Sequence, residues 1–251
     1  MKKAMWIISI FCLVGTALLL QFMPESVPMH YDAMGQIDRW GSRYEQLIVP
    51  IIILVVSLFW TTLILYYEKK AGKAGNISDA ASCEEKEAGV PSNEAILEKE
   101  KAEALSNARA LSVVGMANAA MFTVLHGFLL YGAWDAANVQ STAMTIDVSK
   151  VAGILMGIFM IIAGNVLPKS RINGSFGVRI PWSTYNETTW RKTNRFGGLA
   201  LVITGIVTIL GTLLLTGSYT APLVLATCLM IATVFILIYA HKVCEEEKKA
   251  G

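Results

Sequence analysis

Long apolar runs separated by short polar intervals dominate the chain, and six of the runs approach the roughly 20 residues a helix needs to cross the hydrocarbon of a bilayer. They are Ala4 to Met23, Leu47 to Tyr67, Ala110 to Tyr131, Val151 to Leu167, Gly197 to Thr216 and Ala221 to Ala240, and none contains Asp, Glu, Lys or Arg. The pattern predicts an all-α integral membrane protein with six transmembrane helices. Lys2 and Lys3 precede the first run as they would in a signal peptide. Its apolar stretch is nevertheless too long for such a segment and lacks a small-x-small cleavage site, so it predicts a retained helix.

Basic residues near span ends resist translocation, which makes their placement a guide to orientation. With six alternating spans, 18 of the 21 Lys and Arg residues fall on one side, and only Arg39, Arg43 and Lys150 fall on the other. Both termini are therefore expected in the cytoplasm. The interval between spans four and five, which holds six basic residues and the single acid Glu187, is expected there too.

The polar intervals differ in kind. After Tyr67 the sequence is rich in Ala, Gly, Glu, Lys and Ser, and its first half buries too little to fold, which predicts a flexible linker. From Ser92 and Asn93, with Glu94 in the first turn, strong helix formers continue to Arg109 and predict a helix that runs straight into span three. Glu98, Lys99, Glu100, Lys101 and Glu103 read as its solvated face. The outer interval between spans one and two is punctuated by Pro24, Pro28 and Pro50. It carries two short extended runs, Val27 to Tyr31 and Ile37 to Trp40, with Gly35 suited to the turn between them. A small hairpin-like cap on the outer surface is expected, in which His30, Asp32 and Asp38 serve as hydrogen-bonding groups; no second His or Cys on that side completes a metal site.

Composition narrows the chemistry. The chain is 54% hydrophobic and 16% charged, with a mean hydropathy of +0.52. Cys12, Cys83, Cys228 and Cys244 have no metal-ligand or CxxC spacing and read as free thiols. Within the spans His126 is the only ionisable residue of the kind that marks proton or ion pathways, accompanied by Asn118 and Asn165. That is thin material for a transporter subunit, and a hydrogen bond to a neighbouring helix is the expectation for His126. An intramembrane enzyme would need a nucleophile with its base or a metal set, yet no HExxH, GxSxG or paired Asp occurs in a span. No cofactor and no direct nucleic-acid contact are expected. Gly153, Gly157 and Gly164 in span four and Gly197, Gly198, Gly205 and Gly211 in span five would let those helices approach closely.

In the inner segment Asn165 ends span four, Pro168 stops the helix, Asn173 and Gly174 favour a turn, and Gly177 frees the backbone before Arg179, Pro181 and Trp182. Ser183 or Thr184 is expected to cap a short helix carrying Trp190, Arg191 and Arg195 towards span five, with Trp and Arg at headgroup level. As a set these residues are more specific than any one of them. "GN-x-LPKSRIN-x-x-x-GVRIPW" followed by "NETTWRKTNRFGG" resembles the signature loop of the SdpI family, membrane proteins named for immunity against a secreted toxic peptide. "VPMHYDAMGQIDRWGSR" resembles an uncharacterised module that often precedes that signature. The two resemblances span most of the chain outside 68–107. The sequence departs from the pattern at Asn194, where the family usually has His, and at "WST", which replaces the commoner Trp-Thr-Leu.

The resemblance implies protection against a secreted toxic peptide, together with signalling in which the inner face retains a transcriptional repressor. It divides the chain into a two-helix module with an extracellular cap (1–67), a cytoplasmic linker and juxtamembrane helix (68–107) and a four-helix membrane domain (108–251) containing the loop 168–196. His30, Tyr31, Asp32, Gly35, Asp38 and Trp40 are the peptide-sensing candidates. Asn165, Pro168, Asn173, Gly177, Arg179, Trp182, Asn186, Trp190, Arg191, Asn194 and Gly197 form the candidate inner site. The bilayer, the peptide and a repressor are the expected partners.

Overall fold

The computed structural model describes residues 1–32, 36–81, 93–139, 143, 147–215, 217 and 220–250. Its long helices are α1 (Lys2–Leu19), α2 (Ile48–Ala81), α3 (Asn93–Val139), α4 (Val148–Val166), α5 (Glu187–Leu214) and α6 (Thr220–Ala250). All six are long and apolar enough to cross a membrane. They pack as two groups of three, α1 with α2 and α3, and α4 with α5 and α6, joined chiefly where α3 meets α4. The sequence boundary at 107/108 thus falls inside α3, whose main partner is α2.

Helix length explains what extends beyond the bilayer. At 1.5 Å per residue the 34 residues of α2 and the 47 of α3 reach about 50 and 70 Å, well beyond a hydrocarbon core of about 30 Å. The juxtamembrane helix expected from residue 93 does run unbroken into span three. The flexible linker expected directly after Tyr67 does not begin there: Ala71 and Ala74 are buried, and α2 continues past Gly72 and Gly75 to Ala81. The rest of that expected linker, with Cys83 and Ser92, lies outside the described residues.

Close helix approach follows the glycines. A Cβ on Gly157 would stand 2.7 Å from the Gly205 carbonyl oxygen, and one on Gly164 would stand 2.6 Å from that of Gly198. Reciprocally, a Cβ on Gly205 or Gly198 would lie 2.5 Å from the partner's oxygen. The α4–α5 seam is therefore backbone against backbone, as small residues permit in membranes. On the other side Trp60 of α2 covers Gly115 of α3, and its indole N–H donates to Asn118 at 3.3 Å. His126 is buried and pairs with the Thr16 hydroxyl of α1 at 3.1 Å, the interhelical bond the sequence suggested.

Strands β1 (Ser26–Tyr31) and β2 (Ile37–Ser42) form the expected antiparallel hairpin between α1 and α2. Val27 is fully buried and packs with Leu20, Met23, Leu130 and Ala133, which seats the cap on the turn that follows α1 and on α3. A bridge from Gln36 to Ala143 ties it to the connection between α3 and α4. Ion pairs Lys2–Glu68, Lys99–Glu187 and Lys192–Glu247 gather the opposite ends of the helices, so the described basic segments expected at the inner face share one end of the bundle and the cap occupies the other.

Candidate functional site: the latched inner loop and the outer cap

Residues 167–186 fold back over the start of α5 instead of spreading along the membrane surface. Leu167–Lys169 is a single tight turn with Pro168 near its start, where a missing N–H costs nothing. Pro168 then leans on Gly198, where an added Cβ would lie 2.9 Å from its ring. Asn173 makes the next turn: its Oδ1 accepts from the Ser175 and Phe176 N–H groups, each at 2.7 Å, and its amide donates to the Phe176 carbonyl at 2.8 Å. That turn is held from below by Tyr67 of α2, whose hydroxyl lies 3.1 Å from Ser175 Oγ, and by the buried Asn107 of α3, which accepts from the Arg171 N–H at 2.8 Å.

The centre of the latch is Asn194 on Trp190. Both are buried on α5 one turn apart. Asn194 Oδ1 accepts from the Val178 N–H at 2.8 Å, and its Nδ2 donates to the Trp190 carbonyl at 3.0 Å. The Trp190 indole N–H donates to the Ser170 carbonyl at 3.0 Å. Gly177 crosses directly above, at φ +123, and a Cβ there would sit 2.7 Å from the Trp190 ring and 2.9 Å from Asn194 Oδ1. Only glycine combines that backbone angle with that contact. Gly197 serves the same closure, since a Cβ would meet Val178 at 2.9 Å.

Three sequence expectations are corrected. The cap of α5 is Asn186, not Ser183 or Thr184: its side chain accepts from the Thr189 N–H at 2.8 Å while the Thr189 hydroxyl accepts from its N–H at 3.0 Å. Ser183 is instead buried beneath the preceding turn, accepting from the Ile180 N–H at 3.1 Å and donating to the Val178 carbonyl at 2.6 Å. Trp190, expected at headgroup level, is 2% exposed, because the loop doubles back and covers it. The short helix expected to carry it is also the first part of one continuous α5.

Asn173, Gly177, Trp190, Asn194 and Gly197 are thus brought together, with Pro168 and Asn186 as supports. Asn165 is apart, donating to Ile161 within α4 at 2.8 Å. Arg179 and Arg191 are exposed, and no ion pair to either occurs among the described residues. Trp182 is partly exposed and meets His241 of α6 edge-on, ring centres 4.9 Å apart. Lys99 beside Glu187 holds that carboxyl below its usual range, and the lysine is correspondingly raised; both groups are in water, where such a pair contributes little. Asn107, Ser170, Thr189 and His241 were not singled out by sequence, and Ser183 was read only as a cap. The one signal was Asn107 in "LSNARA", a poor helix former within an otherwise helical stretch.

The cap is held differently. His30 Nδ1 lies 2.7 Å from Asp38, Arg39 pairs with Glu45 at 2.7 Å, and Asp32 accepts from the Gln36 N–H at 2.8 Å. All these side chains are largely exposed or half-buried. Strand register slips between Pro28 and His30 and again between His30 and Tyr31, placing His30 beside Asp38. Trp40 is 45% exposed. The Tyr31 hydroxyl is buried with no hydrogen-bond partner among the described residues, and burial pushes its pKa up to about 12. Gly35 lies outside the described residues. No group of three His, Cys, Asp or Glu able to hold a metal occurs among them.

A six-span α-helical membrane protein with a cap at one face and a latched basic loop at the other is the class these features define. Residues 169–240 match the SdpI/YfhL protein family and residues 7–54 match a domain of unknown function, DUF1648, so the resemblance to the SdpI family holds at the loop that suggested it. The chain is 23% identical over 244 residues to the Immunity protein SdpI of Bacillus subtilis (strain 168), covering 96% of each chain. A 52-residue stretch, 18% of this chain and 28% of the relative, is 44% identical to an uncharacterised protein of Archaeoglobus fulgidus. No solved structure matches. The chain is a multi-pass protein of the cell membrane.

Proposed function

We propose that this chain is a membrane immunity protein: it protects the cell that carries it against a secreted toxic peptide, the outer cap meeting the peptide and the inner loop passing the event to a cytoplasmic repressor. The observation that carries this reading is similarity along 96% of both chains to a protein named for immunity. Physical chemistry supports a division between faces. The cap offers exposed Trp40 with Asp32 and Asp38 to an apolar or cationic peptide. The loop offers exposed Arg179 and Arg191 with the edge of Trp182, residue types that anchor protein interfaces and complement an acidic partner. A rigid latch beneath them keeps those groups in a fixed arrangement.

The test is expression in a toxin-sensitive host challenged with candidate peptides, with fluorescent repressor localisation read in the same cells. Survival of the expressing cells and recruitment of the repressor to the membrane are expected; sensitivity equal to that of the empty host contradicts the reading. Orientation is checked by external thiol labelling in intact cells, which should reach a cysteine at Gln36 and leave one at Ser175 untouched. A sustained proton or potassium flux in liposomes, abolished by His126→Ala, would replace immunity with transport as the primary activity.

A further inference from the structure

An open cleft of about 470 Å³ lies between α2, the first turns of α3 and the loop turn at 172–175. Its α2 wall changes character along the helix: Leu63 and Tyr66 belong to the apolar run, and Lys70 lies one turn further on in the polar extension. Opposite them α3 contributes Glu100, Glu103 and Asn107, whose spacing puts all three on one helix face. The cleft therefore straddles the depth at which hydrocarbon gives way to water. Tyr66, on its rim, is 62% exposed, as aromatic residues at headgroup level are.

Its polar groups are poorly satisfied within the protein. No ion pair to Lys70, Glu100 or Glu103 occurs among the described residues, although Glu103 is close enough to raise the affinity of Lys99 for its proton. Asn107 is only 3% exposed. The Arg171 N–H at 2.8 Å and the Asn173 amide at 3.4 Å fix its Oδ1 as the acceptor, which leaves Nδ2 as a donor with no hydrogen bond among the described residues. Lys70 and the Asn107 amide thus leave donors open to an acceptor in the cleft, and Glu100 and Glu103 leave carboxylates open to a cation.

We propose that this cleft binds the headgroup of a membrane phospholipid bearing both a phosphate and a primary ammonium group. The phosphodiester accepts from Lys70 Nζ and Asn107 Nδ2. The ammonium donates to Glu100 and Glu103, and the acyl chains leave past Leu63 and Tyr66 along α2. The acid pair sets the lipid class, because a headgroup ending in hydroxyls would place its phosphate charge near two carboxylates and bring no cation to them. The apolar end sets the source, because a soluble zwitterion has nothing to lay against Leu63.

Native mass spectrometry of the full-length protein in detergent provides the test, with phosphatidylethanolamine, phosphatidylglycerol of matched chains, and soluble glycerophosphoethanolamine as probes. Phosphatidylethanolamine should bind at least about tenfold more tightly than phosphatidylglycerol, a difference of about 1.4 kcal/mol, and the soluble compound should not displace it at equal concentration. The near-isosteric Glu100→Gln/Glu103→Gln pair should bring the two lipids to within about twofold, and Lys70→Ala should weaken both, with unchanged melting temperatures showing an intact fold. Equal binding of the two lipids by the parent protein overturns the proposal without any variant. A preference that survives in the double variant, or displacement by the soluble compound, overturns it as well.

Discussion

The outer cap and the inner loop are both irregular pieces between apolar spans, yet they are secured by opposite means. The loop is fastened by buried amides, hydroxyls and one indole that hold its backbone from beneath, and its charges point away. The cap is fastened by Val27 and its neighbours on one side, while its ion pairs lie in water. Buried hydrogen bonds are costly to break because the surviving partner cannot turn to solvent; exposed pairs are readily replaced by water and screened by salt. The loop should therefore behave as a fixed unit under mutation, and the cap as a surface whose contacts can be changed without unfolding.

The largest effect is expected at Gly177. Alanine there must hold φ +123 and place its methyl against Trp190, and strain and overpacking together should cost about 3 kcal/mol or more. Thermal unfolding in detergent should fall sharply, with the Trp190 environment changed in fluorescence. Asn194→Ala comes next. It leaves the Val178 N–H without its acceptor, while the Trp190 carbonyl keeps its helical backbone bond, and should cost about 1–3 kcal/mol, again read by thermal unfolding. Asp38→Asn, by contrast, removes only the charge from an exposed contact to His30 and should shift stability by less than about 1 kcal/mol. If Asp38→Asn destabilises the protein as much as Asn194→Ala, the contrast between the two regions is wrong.

The smallest effect is a titration. Burial raises the Tyr31 phenol from 10 to about 12, so the folded state holds this proton more tightly than the unfolded chain. The associated stability is complete below pH 10 and is lost as pH rises through about 12. Ultraviolet titration should show one of the eight tyrosines ionising late, and Tyr31→Phe should remove that step. A late step that persists in Tyr31→Phe assigns it to another tyrosine.

What the sequence made legible depends on the range of the interactions involved. Six spans followed from run length, the two strands from short β-prone runs with a turn between them, and the α4–α5 seam from its glycines. Span ends were harder, as α2 shows: the residues after Tyr67 read as linker by their lack of large apolar side chains, yet Ala71 and Ala74 are buried and the helix runs on to Ala81. The loop's residue types were recognisable, but their roles were not. Trp190 flanked by Arg191 looks like an interfacial anchor until the chain folds back over it. Ser183 and Asn186 are both good caps, and the burial of Ser183 under its own turn leaves the position to Asn186. Asn107 meets Arg171 from 64 residues away, and Trp182 meets His241 across α6; no local pattern announces contacts of that range.

The proposed function requires the two faces to do separate work, the cap meeting a peptide and the loop holding a partner. Trp40→Ala and Arg179→Ala, compared at equal membrane abundance for external peptide binding and for repressor retention, test it most directly. Trp40→Ala should weaken peptide binding about thirtyfold, the loss of an aromatic anchor of about 2 kcal/mol, and Arg179→Ala should impair retention while peptide binding stays within a few-fold of the parent. Parallel loss of both activities in both variants would contradict the division and make cap and loop parts of one cooperative unit.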